Sequence, residues 1–142
     1  RQMCIRDRDY LGLPLPKERN LPGKSYLPAL LGKDDPGRDN VVIYDEYGPT
    51  RMIRTKDWKY IQRYPGGPDE LYDLDNDPDE RQNLVDDSAQ ANRIREMKQA
   101  MEDWFAKHVD PDKDGLNHDV TGLGQITPVG KNWVNEAFFH NK

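Results

Sequence analysis

Between residues 41 and 74 the chain changes character every few residues, and that rhythm constrains the fold more than any other feature. Val41-Val-Ile-Tyr-Asp-Glu46 is β-branched and aromatic, and Arg51-Met-Ile-Arg-Thr55 alternates apolar with polar residues. Trp58-Lys-Tyr-Ile-Gln-Arg-Tyr64 and Asp69-Glu-Leu-Tyr-Asp-Leu74 alternate in the same way. A period of two marks strands that bury one face. The links are short: Tyr47-Gly-Pro-Thr50, Lys56-Asp57 and a Pro-Gly-Gly-Pro loop ahead of Asp69. Parallel neighbours need crossovers of about a dozen residues, so these four strands form an antiparallel meander.

A sheet this small needs a cover. From Ser88 onward Ile94, Met97, Met101, Trp104, Phe105 and His108 recur at steps of three and four, which puts one apolar stripe on a long helix. A one-faced sheet and a one-striped helix bury each other. The expected fold is therefore α+β, a small four-stranded antiparallel sheet packed by a long C-terminal helix, with Trp104 against Met52-Ile53 and Tyr60-Ile61. Asp77-Pro-Asp-Glu80 carries a capping acid, a proline at the first helical position and a glutamate at the third, which predicts a helix start. Upstream, the prolines of Leu11-Gly-Leu-Pro-Leu-Pro16 predict an extended segment. Ser25 before Tyr26-Leu-Pro-Ala-Leu-Leu31 and Gly32 predicts one short helix, and residues 33 to 40 a polar turn. Beyond Leu116, glycines at 122, 124 and 130 and the aromatics Trp133, Phe138 and Phe139 follow no period. The reading there is a loop-rich tail over 110–142.

Residues 1–8 stand apart. Met3-Cys4-Ile5-Arg6-Asp7-Arg8 is what a transposase sequencing adapter encodes when read as codons, so residues 1–8 read as an adapter artefact. Setting them aside removes Cys4, the single cysteine of the 142 residues, and any thiolate or disulfide chemistry with it. An interrupted reading frame also implies that the protein extends upstream. No apolar run approaches the roughly 20 residues of a bilayer span, and no charged-then-apolar leader opens the chain. The net charge of -5 is spread along the sequence, which disfavours nucleic acid as a partner.

Local motifs supply little chemistry. Asp110, Asp112 and Asp114 with Gly115 match positions 1, 3, 5 and 6 of an EF-hand loop, but position 12 is Thr121, where calcium wants a bidentate glutamate. Asp73, Asp75, Asp77 and Asp79 meet Pro78 at the sixth position, where the sharp turn needs glycine. Both segments read first as capped, solvated turns, with calcium at Asp110–Asp114 left open. No spacing pairs a nucleophile with a base, and Gly122-Leu-Gly124-Gln125 is too short for a dinucleotide fingerprint.

Taken in order, a set of short strings is far more specific than any one of them. Leu21-Pro-Gly-Lys-Ser-Tyr-Leu-Pro-Ala-Leu-Leu-Gly32, Tyr44-Asp-Glu46, Arg51-Met-Ile-Arg54, Trp58-Lys-Tyr-Ile61, Glu70-Leu-Tyr-Asp-Leu74, Asp77-Pro-Asp-Glu80 and Asn83-Leu84 together resemble the C-terminal part of type I sulfatases. Val120-Thr-Gly-Leu-Gly-Gln125 resembles the tails of some bacterial members. The resemblance implies a sulfatase C-terminal subdomain over 9–109, docked on the N-terminal catalytic domain of the same chain, a large alkaline-phosphatase-like α/β domain. It also implies a formylglycine nucleophile, made in a Cys/Ser-x-Pro-x-Arg motif, and a calcium ion, both located upstream. Cys4-Ile-Arg-Asp-Arg8 has that spacing but carries Arg6 where proline is required. The implied setting is periplasmic or extracellular, the implied substrate a sulfated carbohydrate, and this fragment alone is expected to be inactive. The alternative is a free-standing acidic calcium- or carbohydrate-binding module.

Recognition groups usually sit on loops held at the ends of rigid strands. The turn Glu46-Tyr-Gly-Pro-Thr-Arg51 is such a loop, and the resemblance implies that this end faces the pocket. Glu46 is expected to accept sugar hydroxyls, and Arg51 to grip a sulfate or carboxylate through its fork of donors. Gln125, on the tail, is a third substrate-binding candidate. Glu46 and Arg51 can equally pair with each other across the turn.

Overall fold

The computed structural model describes residues 2–16, 21–34, 37–44, 50–63 and 67–116, with side chains from Ile5 onward. The chain divides into two compact units, Arg1–Asp39 and Asn40–Lys142.

The first unit holds two helices. α1 spans Gln2–Tyr10 and runs through the residues set apart in the sequence, with Ile5 buried and the Arg6 guanidinium donating to the Tyr26 hydroxyl at 2.7 Å. α2 is the expected short helix, Leu27–Leu30, where Ser25 Oγ accepts the Leu27 N–H at 3.2 Å. Gly32 ends it at φ 67°, a left-handed conformation that costs glycine nothing, and the Lys33 N–H returns to the Pro28 carbonyl at 2.9 Å.

The second unit carries the sheet. β1 (Val41–Tyr44), β2 (Thr50–Arg54), β3 (Trp58–Arg63) and β4 (Glu70–Asp73) pair in sequence order, antiparallel throughout, as the short links require. The Lys56-Asp57 connection is closed on both sides by Thr55. Its N–H bonds the Trp58 carbonyl at 2.9 Å, and its hydroxyl accepts the Trp58 N–H at 3.0 Å.

Register decides which side chains meet. Val42, Ile53, Tyr60 and Leu71 lie opposite one another in a single row, and the last three are at most 1% exposed. The next row, Ile43, Met52, Ile61 and Glu70, points to the other face, and Ile43 is 56% exposed. α3, Ala91–His108, lies on the first face and buries Met97, Met101 and Phe105 against it. Each such side chain contributes roughly 1.5–3 kcal/mol by leaving water.

Two expectations need correction. Trp104 is only half-buried and flanks the core beside Tyr44, Phe105 and His108, because Met97, Met101 and Phe105 repeat every fourth residue and take the central stripe. The strand pairs named for it also mixed the two faces, since Met52 and Ile61 alternate away from Ile53 and Tyr60. Asp77-Pro-Asp-Glu80 starts no helix but forms turns: the Glu80 N–H bonds the Asp77 carbonyl at 3.0 Å, and Glu80 then takes φ 55°. Asp77 caps the Gln82 N–H at 2.8 Å, and Asn83 accepts from Leu71 at 2.9 Å, so this segment is fastened to β4. Regular helix waits for Asp87, whose carboxylate accepts the Ala89 N–H at 2.9 Å and opens the 3-10 turn Ser88–Gln90 that leads into α3.

Candidate functional site: the β1–β2 end of the sheet

β1 and β2 are joined through residues 45–49, and the last β1–β2 pair before that link is Tyr44 opposite Arg51, with Gln62 across from Arg51 on β3. By alternation Arg51 points to the α3 side, where it is 5% exposed. A guanidinium that far from water needs both an anion and packing. The anion is Asp114, whose Oδ1 pairs with Nη2 of Arg51 from 63 residues further along the chain. The packing is Phe105, whose ring lies 3.8 Å below the guanidinium carbon. Tyr44 stands edge-on to Phe105 at 5.5 Å between ring centroids, and Trp104 adds a second edge contact at 5.2 Å.

Asp114 reaches this place because α3 ends at His108 and Val109 turns extended, followed by the 3-10 turn Pro111–Lys113. Asp110 caps that turn by accepting the Asp112 N–H at 3.1 Å. The hydrogen bond from Lys113 and that from the Asp112 amide hold the Asp110 carboxyl below the usual carboxylate range. Asp114 accepts the Leu116 N–H at 2.9 Å besides its bond from Arg51. Of the carboxylates read as a partial calcium loop, Asp110 and Asp114 are thus engaged within the protein, and among the described residues no three His, Cys, Asp or Glu side chains gather as a metal cage. The rest of that loop, Thr121 included, lies outside the described residues.

Of the three substrate-contact candidates, Arg51 is placed as above, while Glu46 and Gln125 lie outside the described residues. Arg51 pairs with Asp114, and its pairing with Glu46 across the turn lies outside the described residues. Asp114 was missed as a site residue because its acids alternate as in any solvated turn; no local pattern announces a partner 63 positions away. Among the described residues no helix is long and apolar enough to cross a membrane.

Residues 8–107 match the family model for the C-terminal region of N-sulphoglucosamine sulphohydrolase. A delta 4,5-hexuronate-2-O-sulfatase of Bacteroides thetaiotaomicron is 30% identical over 109 residues, covering 72% of this chain and 22% of the relative. An ulvan-active sulfatase of Formosa agariphila is 28% identical over 147 residues, covering 78% of this chain and 29% of the relative. The solved structure of a 2-O GAG sulfatase superposes with a TM-score of 0.60 at 30% identity, covering 71% of this chain and 23% of that one. The chain thus spans less than a third of the length of these relatives, and its sheet and helix are the C-terminal subdomain of the alkaline-phosphatase-like sulfatase fold. On the match of residues 8–107, the chain belongs to the N-sulphoglucosamine sulphohydrolase C-terminal family.

Proposed function

We propose that this chain is the C-terminal part of a sulfuric ester hydrolase acting on a sulfated carbohydrate, and that it supplies a wall of the substrate pocket and no nucleophile. The observation that carries the reading is the family match over residues 8–107, joined to relatives whose names specify sulfatases of hexuronate and ulvan. The functional unit is 9–109 with 110–142 as its tail. Its partner is an N-terminal catalytic domain of the same polypeptide, which holds the formylglycine and the calcium ion. The setting is periplasmic or extracellular, where a polymeric sulfated substrate is met.

The wall is built at the β1–β2 end of the sheet. Glu46, on the link, accepts hydroxyls of the sugar, and Gln125, on the tail, adds an amide to the same task. Arg51 stands at the foot of the link, its charge already balanced by Asp114. A carboxylate and an amide recognise a sugar through directed bonds that a small aryl sulfate cannot use.

Kinetics on the enzyme that contains this chain test the reading. Glu46→Ala should raise KM for a sulfated oligosaccharide about tenfold and Gln125→Ala by a smaller factor, since each removes ground-state contacts to the sugar. Equal losses on an aryl sulfate would assign Glu46 to the fold, and no loss on either would remove it from the pocket.

A further inference from the structure

Arg51 and Asp114 form the most enclosed ion pair among the described residues, with side chains 6% and 13% exposed. Three features make the pair directional. Arg51 sits in the last β1–β2 pair before the 45–49 link, opposite Tyr44, so its position is set by the ladder. Phe105 fixes the guanidinium plane from α3 at 3.8 Å. Asp114 is held from its own side by the Leu116 N–H at 2.9 Å, after a turn that Asp110 caps. The chain that leaves α3 is therefore drawn back to the end of the sheet where β1 and β2 are linked.

We propose that Arg51 is a positioning residue, which through Asp114 fastens residues 109–116, the stretch that leads from α3 towards Gln125, to the end of β2 that follows the 45–49 link. The inference rests on the reading that Glu46 and Gln125 contact the sugar, and it gives Arg51 an indirect part in selecting it. Its Nη2 already donates to a carboxylate, an oxyanion of the kind expected from substrate. Removing either partner strands the other charge in a water-poor site, so both variants should release the same segment.

Amide exchange on the 142-residue chain in dilute solution tests the fastening without any activity. In Asp114→Asn and in Arg51→Gln the amides of residues 112–116, corrected for their intrinsic rates, should lose protection by at least about tenfold, while the double variant loses no more than either single one. Amides 97–105 of α3 report whether the sheet and helix persist; if Arg51→Gln loosens them, Asp114→Asn decides alone. Protection of 112–116 within about twofold of the native chain in Asp114→Asn overturns the proposal. In the enzyme that contains the chain, both single variants should raise KM for a sulfated oligosaccharide about tenfold with kcat changed less than twofold. A raised KM in Arg51→Gln with an unchanged one in Asp114→Asn would also overturn it, since Arg51 would then grip the sulfate itself. If no sulfate is released by any form, the sulfatase reading fails, while the exchange result still decides whether the fastening exists.

Discussion

The Tyr60 hydroxyl donates to Asp69 Oδ2 at 2.6 Å, and the other oxygen of that carboxylate accepts the Arg63 backbone N–H at 3.0 Å. One aspartate thereby ties the middle and the end of β3 to the entry of β4, closing the loop that links them. Gly67 allows the approach: it sits at φ 58°, and a Cβ there would meet the Asp69 nitrogen at 3.1 Å.

That bond makes Tyr60 a reporter of alkaline unfolding. Burial and the Asp69 carboxylate both raise the ionisation of the phenol well above its ordinary value of about 10. Between the ordinary and the raised value the unfolded chain binds fewer protons than the folded one, so stability is intact below about pH 10 and falls as pH rises beyond it. An absorbance titration should find that Tyr60 ionises only as the protein unfolds. Tyr60→Phe should remove this delayed step and cost about 1.5–3 kcal/mol, the range for a hydrogen bond to a charged group. A wild-type titration completed near pH 10 with helical signal retained would place Tyr60 in water.

The helix stripe gives a second prediction, read from denaturant midpoints. Met101 is 1% exposed and packs on Ile53, Tyr60 and Leu71, so Met101→Ala should cost about 2–5 kcal/mol. Trp104 is half-buried at the margin, and Trp104→Ala should cost less, about 1–2 kcal/mol. The reverse order would mean that Trp104 is the central residue of α3.

A third prediction concerns solubility. In the first unit Tyr10, Leu11, Leu13 and Leu15 are 46–71% exposed, and Leu30 and Leu31 are 60% and 56% exposed. Apolar groups presented at this density mark a surface that is covered in the working molecule. The 142-residue chain should bind an environment-sensitive dye and self-associate with rising concentration, and Leu11→Ser with Leu13→Ser should reduce both. A monomer with little dye binding would count against a covering partner domain.

The strands and their order were legible because period-two alternation and short links leave few topologies open, and each strand bound fell within two residues of the sequence reading. The stripe on α3 was legible too, but spacing could not rank Met101 above Trp104, because ranking depends on which strand row meets which helical turn. The Asp77 motif misled because capping residues describe a local option, and here Asn83 and Leu84 bond back to Leu71 and pull the chain away from helix. At the site, the place of Arg51 at the end of a strand was legible. Its bond to Asp114 was not, since charge pairing across 63 residues exists only once the fold has closed.

The proposed role, completing a sulfatase whose reacting groups lie in a separate domain, is open to direct test. The most direct measurement is sulfate released from a sulfated oligosaccharide, compared between this 142-residue chain and the protein that joins it to its in-frame upstream sequence. The longer protein should release sulfate, dependent on a Cys/Ser-x-Pro-x-Arg motif in the added sequence, and the 142 residues alone should release none. Turnover by the 142-residue chain itself, or an upstream sequence without that motif and without activity, would contradict that role.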